Sequence, residues 1–177
     1  MQYVSTRGLA PRLGFCDAVL TGLARDGGLY LPETWPQFDK QKIAGLANKP
    51  FADVAFEVIS QFVDGEIPDD KLKKMLDEAY GTFRHKAVAP LVQTDDGHFV
   101  LELFHGPTLA FKDVAMQFLA RVMDHILGER GQRATIVGAT SGDTGSAAIE
   151  AFRGRENTDI FILHPKGMVS PVQQRQM

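Results

Sequence analysis

Two short stretches carry side chains suited to covalent or anion chemistry. The first reads Leu101-Glu102-Leu103-Phe104-His105-Gly106-Pro107-Thr108-Leu109-Ala110-Phe111-Lys112-Asp113. An apolar, strand-like run stops at His105-Gly106-Pro107, and a helical pattern is expected over 111–127, which places Lys112 in its first turn. The positive end of a helix dipole disfavours a cation, so an uncharged or covalently used amine suits this position better than a surface ammonium. Such an amine condenses with an aldehyde and, once released, serves as a general base. Asp113 beside it reads first as an acid that compensates the dipole. His105 stands on the turn, where its ring either lies against a ligand or finishes the strand.

The second stretch, Thr140-Ser141-Gly142-Asp143-Thr144-Gly145, combines three hydroxyls, two glycines and a helix start. Backbone amides at a helix amino end, with hydroxyls beside them, make an anion site. The stretch has neither the lysine of a Walker loop nor the glycine spacing of the dinucleotide fingerprint. Its residue types fit phosphate or carboxylate, and simple capping of the helix by Ser141 or Asp143 accounts for them as well.

The elements around these stretches follow from periodicity. Residues 15–25 have apolar positions on one helical face, ended by Asp26-Gly27-Gly28, and 29–32 is short and extended. Residues 41–83 are expected to be helical, interrupted at Asp64-Gly65, with Pro68 suited to a first helical position. From residue 88 the pattern changes. Strands are expected at 88–94 and 98–103, joined across Asp95-Asp96-Gly97, then a buried strand at 134–139, a helix at 145–152 and a strand at 159–163. Strands alternating with helices imply parallel βαβ units whose ligands gather at the carboxyl ends of the strands. Phe104, Phe111 and Phe118 are read as core residues.

Residues 101–113 resemble the cofactor-lysine segment of the threonine synthase family, and 139–148 resemble its substrate loop. Arg25-Asp26-Gly27-Gly28-Leu29-Tyr30-Leu31-Pro32 and His164-Pro165-Lys166-Gly167-Met168-Val169-Ser170-Pro171 extend the similarity along the whole chain, in the bacterial and fungal form. The resemblance implies an α/β enzyme of pyridoxal-phosphate fold type II, similar to the tryptophan synthase β chain. A mainly helical section at 1–87 would precede the first, incomplete part of the cofactor-binding domain at 88–177. It implies that Lys112 holds pyridoxal phosphate as a Schiff base and that Asp143 lies by the cofactor's 3-oxygen. Thr140, Ser141, Gly142, Thr144 and Gly145 would bind the substrate carboxylate. The implied reaction converts O-phosphohomoserine and water to threonine and phosphate by β,γ-replacement, as a carbon–oxygen lyase in threonine biosynthesis. Because members of the family are more than twice as long, the chain is expected to be an amino-terminal fragment, inactive without its carboxy-terminal portion.

Composition agrees with a globular chain: 177 residues, 44% hydrophobic, net charge -3. That balance gives no electrostatic footprint for nucleic acid or an anionic membrane. No apolar run has spanning length, and a cytoplasmic location is expected. The single cysteine, Cys16, reads as a small core residue, and no histidine pair has metal-ligand spacing. Two other readings fit the same motifs: a serine or threonine dehydratase using the same cofactor, and a non-catalytic α/β module that binds a small anion.

Overall fold

The computed structural model describes residues 1–140 and 142–177. The chain forms two compact units, Met1–Leu76 and Asp77–Met177.

In the first unit, β1 (Tyr3–Ser5) and β2 (Tyr30–Pro32) pair antiparallel, with Tyr3 opposite Pro32. Helix α1 (Phe15–Thr21) stops earlier than its apolar periodicity suggests, because Gly22 takes φ 66° and its amide closes the last turn on the Ala18 carbonyl. The Glu66 carboxylate accepts the otherwise orphaned amides of Phe15, at 2.7 Å, and Cys16, at 3.0 Å. Cys16 is half-buried. The helical stretch that follows is broken into α2 (Lys40–Ala44), α3 (Phe51–Val63) and α4 (Asp69–Tyr80), with the division between the units falling inside α4. Left-handed Asn48 and Asp64 mark the breaks, and Pro68 lies just before α4 rather than in it. Val63, Ile67, Leu72, Met75 and Leu76 form the buried centre of this unit.

A second carboxylate network closes the loops around β2. The Asp26 carboxylate accepts the Ser5 hydroxyl and the amides of Gly28, Leu9 and Ala10, at 2.7 to 3.0 Å. These donors, the Ser5 hydroxyl first, hold its pKa down to about 2.

The second unit opens with a hairpin, β3 (Leu91–Asp95) and β4 (His98–Leu101), turned at Gly97 with φ 74°. It is exposed on both faces. Helix α5 (Asp113–Glu129) leads to β5 (Ala134–Ala139), α6 (Asp143–Phe152), β6 (Thr158–Leu163) and the short α7 (Pro171–Gln176). Strands β5 and β6 are parallel, in register from Ala134–Thr158 to Ala139–Leu163, with α6 as the crossover. Ala120 of α5 and Ala151 and Phe152 of α6 pack with Met116, Met123, Ile136 and Ile160. Asp124 fastens α5 to the turn before β6 by accepting the Asn157 amide at 2.8 Å.

The expected parallel βαβ architecture is therefore present at β5-α6-β6. The lysine segment, however, follows an antiparallel hairpin and not the end of a parallel strand. The other correction concerns β5, expected to be buried. Only one face of the β5–β6 pair is covered, and Val137, Phe161 and Leu163 on the other are 60 to 66% exposed. Alternation along both strands sends these side chains away from α5 and α6. Among the described residues no helix is long and apolar enough to cross a membrane.

Candidate active site

Strand β4 ends at Leu101, so residues 102–112 form a connection into α5. The helix starts two residues later than its pattern suggests. Lys112 is the residue before its first turn, at φ -65° and ψ -20°, and its carbonyl accepts the Met116 amide at 2.9 Å. The Lys112 side chain is half-buried, with Nζ 4.2 Å from the centroid of the Phe111 ring. It makes no hydrogen bond or ion pair with any described residue.

The backbone that presents this amine is tightly held. Asp113 is 0% exposed, and its two oxygens accept the Thr108 amide at 2.8 Å and the Thr108 hydroxyl at 2.7 Å. Dipole compensation is thus only part of what Asp113 does, because it also closes the turn that ends at the lysine. Gly106 lies so near it that a Cβ there would stand 2.5 Å from the Asp113 Cβ. Leu109 takes φ 65°, a left-handed conformation uncommon for a branched side chain. Gln176 of α7 donates to the Thr108 carbonyl at 2.9 Å.

Two aromatic expectations are corrected here. Phe104 and Phe111 are 51% and 57% exposed, while Phe118 is half-buried. In this turn the inward positions are taken by Thr108, Ala110 and Asp113, which leaves the Phe111 ring outside over Lys112. Phe104 stacks on His105 at 4.7 Å. The His105 ring finishes the strand region and is held there: its Nε2 is 2.7 Å from Glu102 Oε2, and the His85 ring lies 5.0 Å away. Folding brings these two histidines together across twenty residues of sequence, yet among the described residues no three metal-binding side chains cluster.

The second segment begins where β5 ends, with the Thr140 amide donating to the Leu163 carbonyl at 3.0 Å. Ser141 lies outside the described residues. Gly142 precedes α6, and Asp143 is its first residue. Asp143 and Thr144 are exposed, and neither side chain bonds any described residue, so Asp143 does not cap the helix. Gly145 is buried, and a Cβ there would lie 2.6 Å from the Thr140 Cγ2 and 3.1 Å from the Met177 Sδ. Small size, not backbone freedom, is what this position demands.

A cavity of about 300 Å³ opens between α5 and the second segment. Met116, one turn into the helix that starts after Lys112, lines it together with Thr140, Thr144, Ile136 and Ile162. Helix α7 forms a second link, touching Thr108 through Gln176 and the Gly142 backbone through Gln173. Sequence reasoning missed Thr108, Gln173 and Gln176. The Thr108–Asp113 spacing is a local signal that reveals the first of them, whereas nothing local marks the glutamines.

Comparison with known proteins gives these segments a context. The family model described as threonine synthase N terminus matches residues 2–80. A threonine synthase of Pseudomonas aeruginosa is 58% identical over 177 residues, which is all of this chain and 38% of that protein. A crystal structure of PLP-bound threonine synthase from Brucella melitensis, 69% identical, superimposes with a TM-score of 0.98 over 100% of this chain and 38% of its own. Yeast threonine synthase, 43% identical, superimposes with a TM-score of 0.94 over 99% of this chain and 38% of its own. The chain thus spans little more than a third of the length of the relatives it matches. Its α/β fold is that of the amino-terminal part of those structures, and with such identity sustained from end to end it belongs to the threonine synthase family.

Proposed function

We propose that this chain is the amine-bearing portion of a pyridoxal-phosphate-dependent threonine synthase, and that the whole protein converts O-phosphohomoserine and water to threonine and phosphate. The observation that carries the reading is the pairing of a half-buried, uncommitted Lys112 amine with a rigid turn, in a chain 58% identical to a threonine synthase. A free amine held by a fixed backbone fits an aldehyde cofactor. When bound, pyridoxal phosphate supplies an electron sink for charge developing on the substrate.

The chain's own residues then have distinct tasks. Lys112 anchors the cofactor and, when freed, moves protons at the substrate α and β carbons. The Thr140 and Thr144 hydroxyls, with Ser141 and the Gly142 and Gly145 backbone, would receive the substrate carboxylate at the positive end of α6. The Gly142 amide would turn to it from Thr140 Oγ1, 3.4 Å away, while the Gly145 amide stays on the Gly142 carbonyl at 2.9 Å and Gly145 gives room by its small size. With the cofactor bound, Asp143 would stand by its phenolic oxygen, and a proton between the two would remove the repulsion of adjacent anionic oxygens. The exposed apolar face of β5 and β6 takes the remaining portion of the protein, because parallel sheets are covered on both sides. We place the whole protein in the cytoplasm and assign it no nucleic-acid or membrane partner.

The test is spectroscopic and chemical. In the whole protein a visible absorption band that disappears in Lys112→Ala, with threonine formed from O-phosphohomoserine, is the expected result. A band that survives Lys112→Ala overturns the lysine assignment. Turnover of serine in place of O-phosphohomoserine would make the protein a dehydratase, and no band at all would leave an anion-binding module.

A further inference from the structure

We infer that α7 is a positioning strut for the lysine turn, with Gln176 acting on Thr108 and Gln173 bracing the second loop. This rests on the reading of Lys112 as the cofactor-bearing amine and adds residues that the motif resemblance leaves without a role.

The lysine turn carries backbone strain. Leu109, at φ 65°, follows directly on Thr108, and a side-chain-bearing residue keeps that conformation only where its surroundings over-determine it. Asp113 supplies one side of the restraint by taking the Thr108 amide and hydroxyl. The remaining polar group of Thr108, its carbonyl, is taken by Gln176 Nε2 at 2.9 Å, from a residue sixty-eight positions away. Thr108 is 8% exposed, so with Gln176 in place none of its polar groups is left unpaired. A turn held from one side alone pivots about that side, and a turn held from both does not.

The same helix touches the second loop. A Cβ on Gly142 would lie 2.7 Å from Gln173 Nε2, and one on Gly145 would lie 3.1 Å from Met177 Sδ. Residues 173, 176 and 177 are spaced by three and four, so they share one face of the helical turn. Val172, Gln174 and Arg175 on the remaining surface are exposed. Ser170 sets the direction of the helix by accepting the Gln173 amide at 3.3 Å, with Pro171 at the first helical position. One short helical face therefore fixes the distance between the lysine turn and the carboxylate loop.

The test uses the full chain and three variants. Gln176→Glu keeps the shape and removes the N–H donor. Gln174→Glu adds the same charge on the exposed surface, and Gln176→Lys restores a donor. Two readouts are followed: amide hydrogen exchange over residues 108–113, and the rate and pH profile of Lys112 modification by pyridoxal phosphate trapped with borohydride. In the trapping reaction the amine nitrogen bonds to the aldehyde carbon, water leaves, and hydride reduces the resulting C=N bond. The Lys112 peptide is quantified by mass spectrometry against the peptide carrying Lys73.

We expect Gln176→Glu to speed exchange over 108–113 about tenfold and to slow Lys112 modification at least threefold with a displaced pH profile. Gln174→Glu should change neither, and Gln176→Lys should recover most of both. Parental exchange and labelling in Gln176→Glu would overturn the proposal, as would an equal effect from Gln174→Glu. If Lys112 of the parent chain is not labelled, the cofactor reading fails, while exchange still decides whether α7 braces the turn. Should Gln176→Glu fail to fold, Gln173→Ala takes its place, with faster exchange over 142–146 expected and unchanged exchange counting against α7.

Discussion

Asp113 and Asp143 are each the first residue of a helix that follows a candidate ligand-binding turn, yet one is fully buried and the other exposed. Asp113 spends both oxygens on Thr108, and Gly106 is small so that the backbone can lie against it. The side chains of Asp143 and its neighbour Thr144 bond no described residue. The same helix position thus serves two ends. Around the lysine the polar groups are consumed by folding and leave a single amine without a hydrogen bond, while at the second loop the Asp143 and Thr144 side chains are left for something else to use.

The contrast can be broken most forcefully at Gly106. Gly106→Ala drives a methyl group into Asp113, and the neighbour is the packed root of a buried side chain that has no room to swing away. A loss on the order of 3 kcal/mol in denaturant unfolding is expected. The matching change at the other loop, Gly142→Ala, meets the flexible end of Gln173 and should cost less than half as much.

Asp113→Ala comes next. It leaves the Thr108 amide and hydroxyl buried without an acceptor, which costs about 2 kcal/mol. The same variant should loosen the Lys112 turn, seen as faster amide exchange over 108–113. Unchanged exchange would mean that the turn holds itself and that Asp113 is only a passenger.

A third aspartate, Asp26, extends the comparison to pH. Its folded pKa of about 2 lies below the ordinary aspartate value of about 4, so the stabilisation is fully present above the ordinary value and is lost as pH falls through about 2. Asp26→Asn should flatten the acid limb of a stability profile measured between those limits. A limb of unchanged steepness would assign acid unfolding to other carboxylates.

Leu109→Gly sharpens the comparison with a smaller effect of opposite sign. Glycine accepts φ 65° without the steric penalty, and the half-exposed leucine gives up little packing, so a gain of about 0.5 kcal/mol is expected. Loss of stability would show that the leucine side chain contributes more packing than its exposure suggests.

Much of this arrangement is legible in the sequence. Helical spacing located α3, α4, α5 and α6, and Asp96-Gly97 located the hairpin, because periodicity and turn chemistry are local signals. The limits of elements were less legible for an equally physical reason. Apolar residues continue past Thr21, but a left-handed Gly22 ends α1, and Leu103 is apolar although pairing stops at Leu101. Periodicity also tells which residues turn inward without saying what meets them, so Phe104 and Phe111 read as core and proved to be exposed. The pairing of β1 with β2, the meeting of His85 with His105, and the bond from Gln176 to Thr108 are closures between distant segments. No window of sequence encodes them. The motif residues themselves were readable because chemistry restricts their types, but the clamp that presents Lys112 uses Gly106 and Thr108, whose roles appear only once Asp113 is seen buried between them.

The smallest expected effect is the most exacting test of the contrast. Asp143→Ala and Thr144→Ala remove exposed groups that bond no described residue, so each should change stability by no more than about 0.5 kcal/mol, most of it the lost interaction of the acid with the helix dipole. A structural loop and a ligand loop differ in what such a silent change does elsewhere. If these side chains are kept for a ligand, the whole protein carrying either variant should melt like the parent while its affinity for the substrate or its cofactor spectrum shifts. If both variants melt early and bind normally, the second loop is a clamp of the same kind as the first, and the difference between the two aspartates would lie in exposure alone.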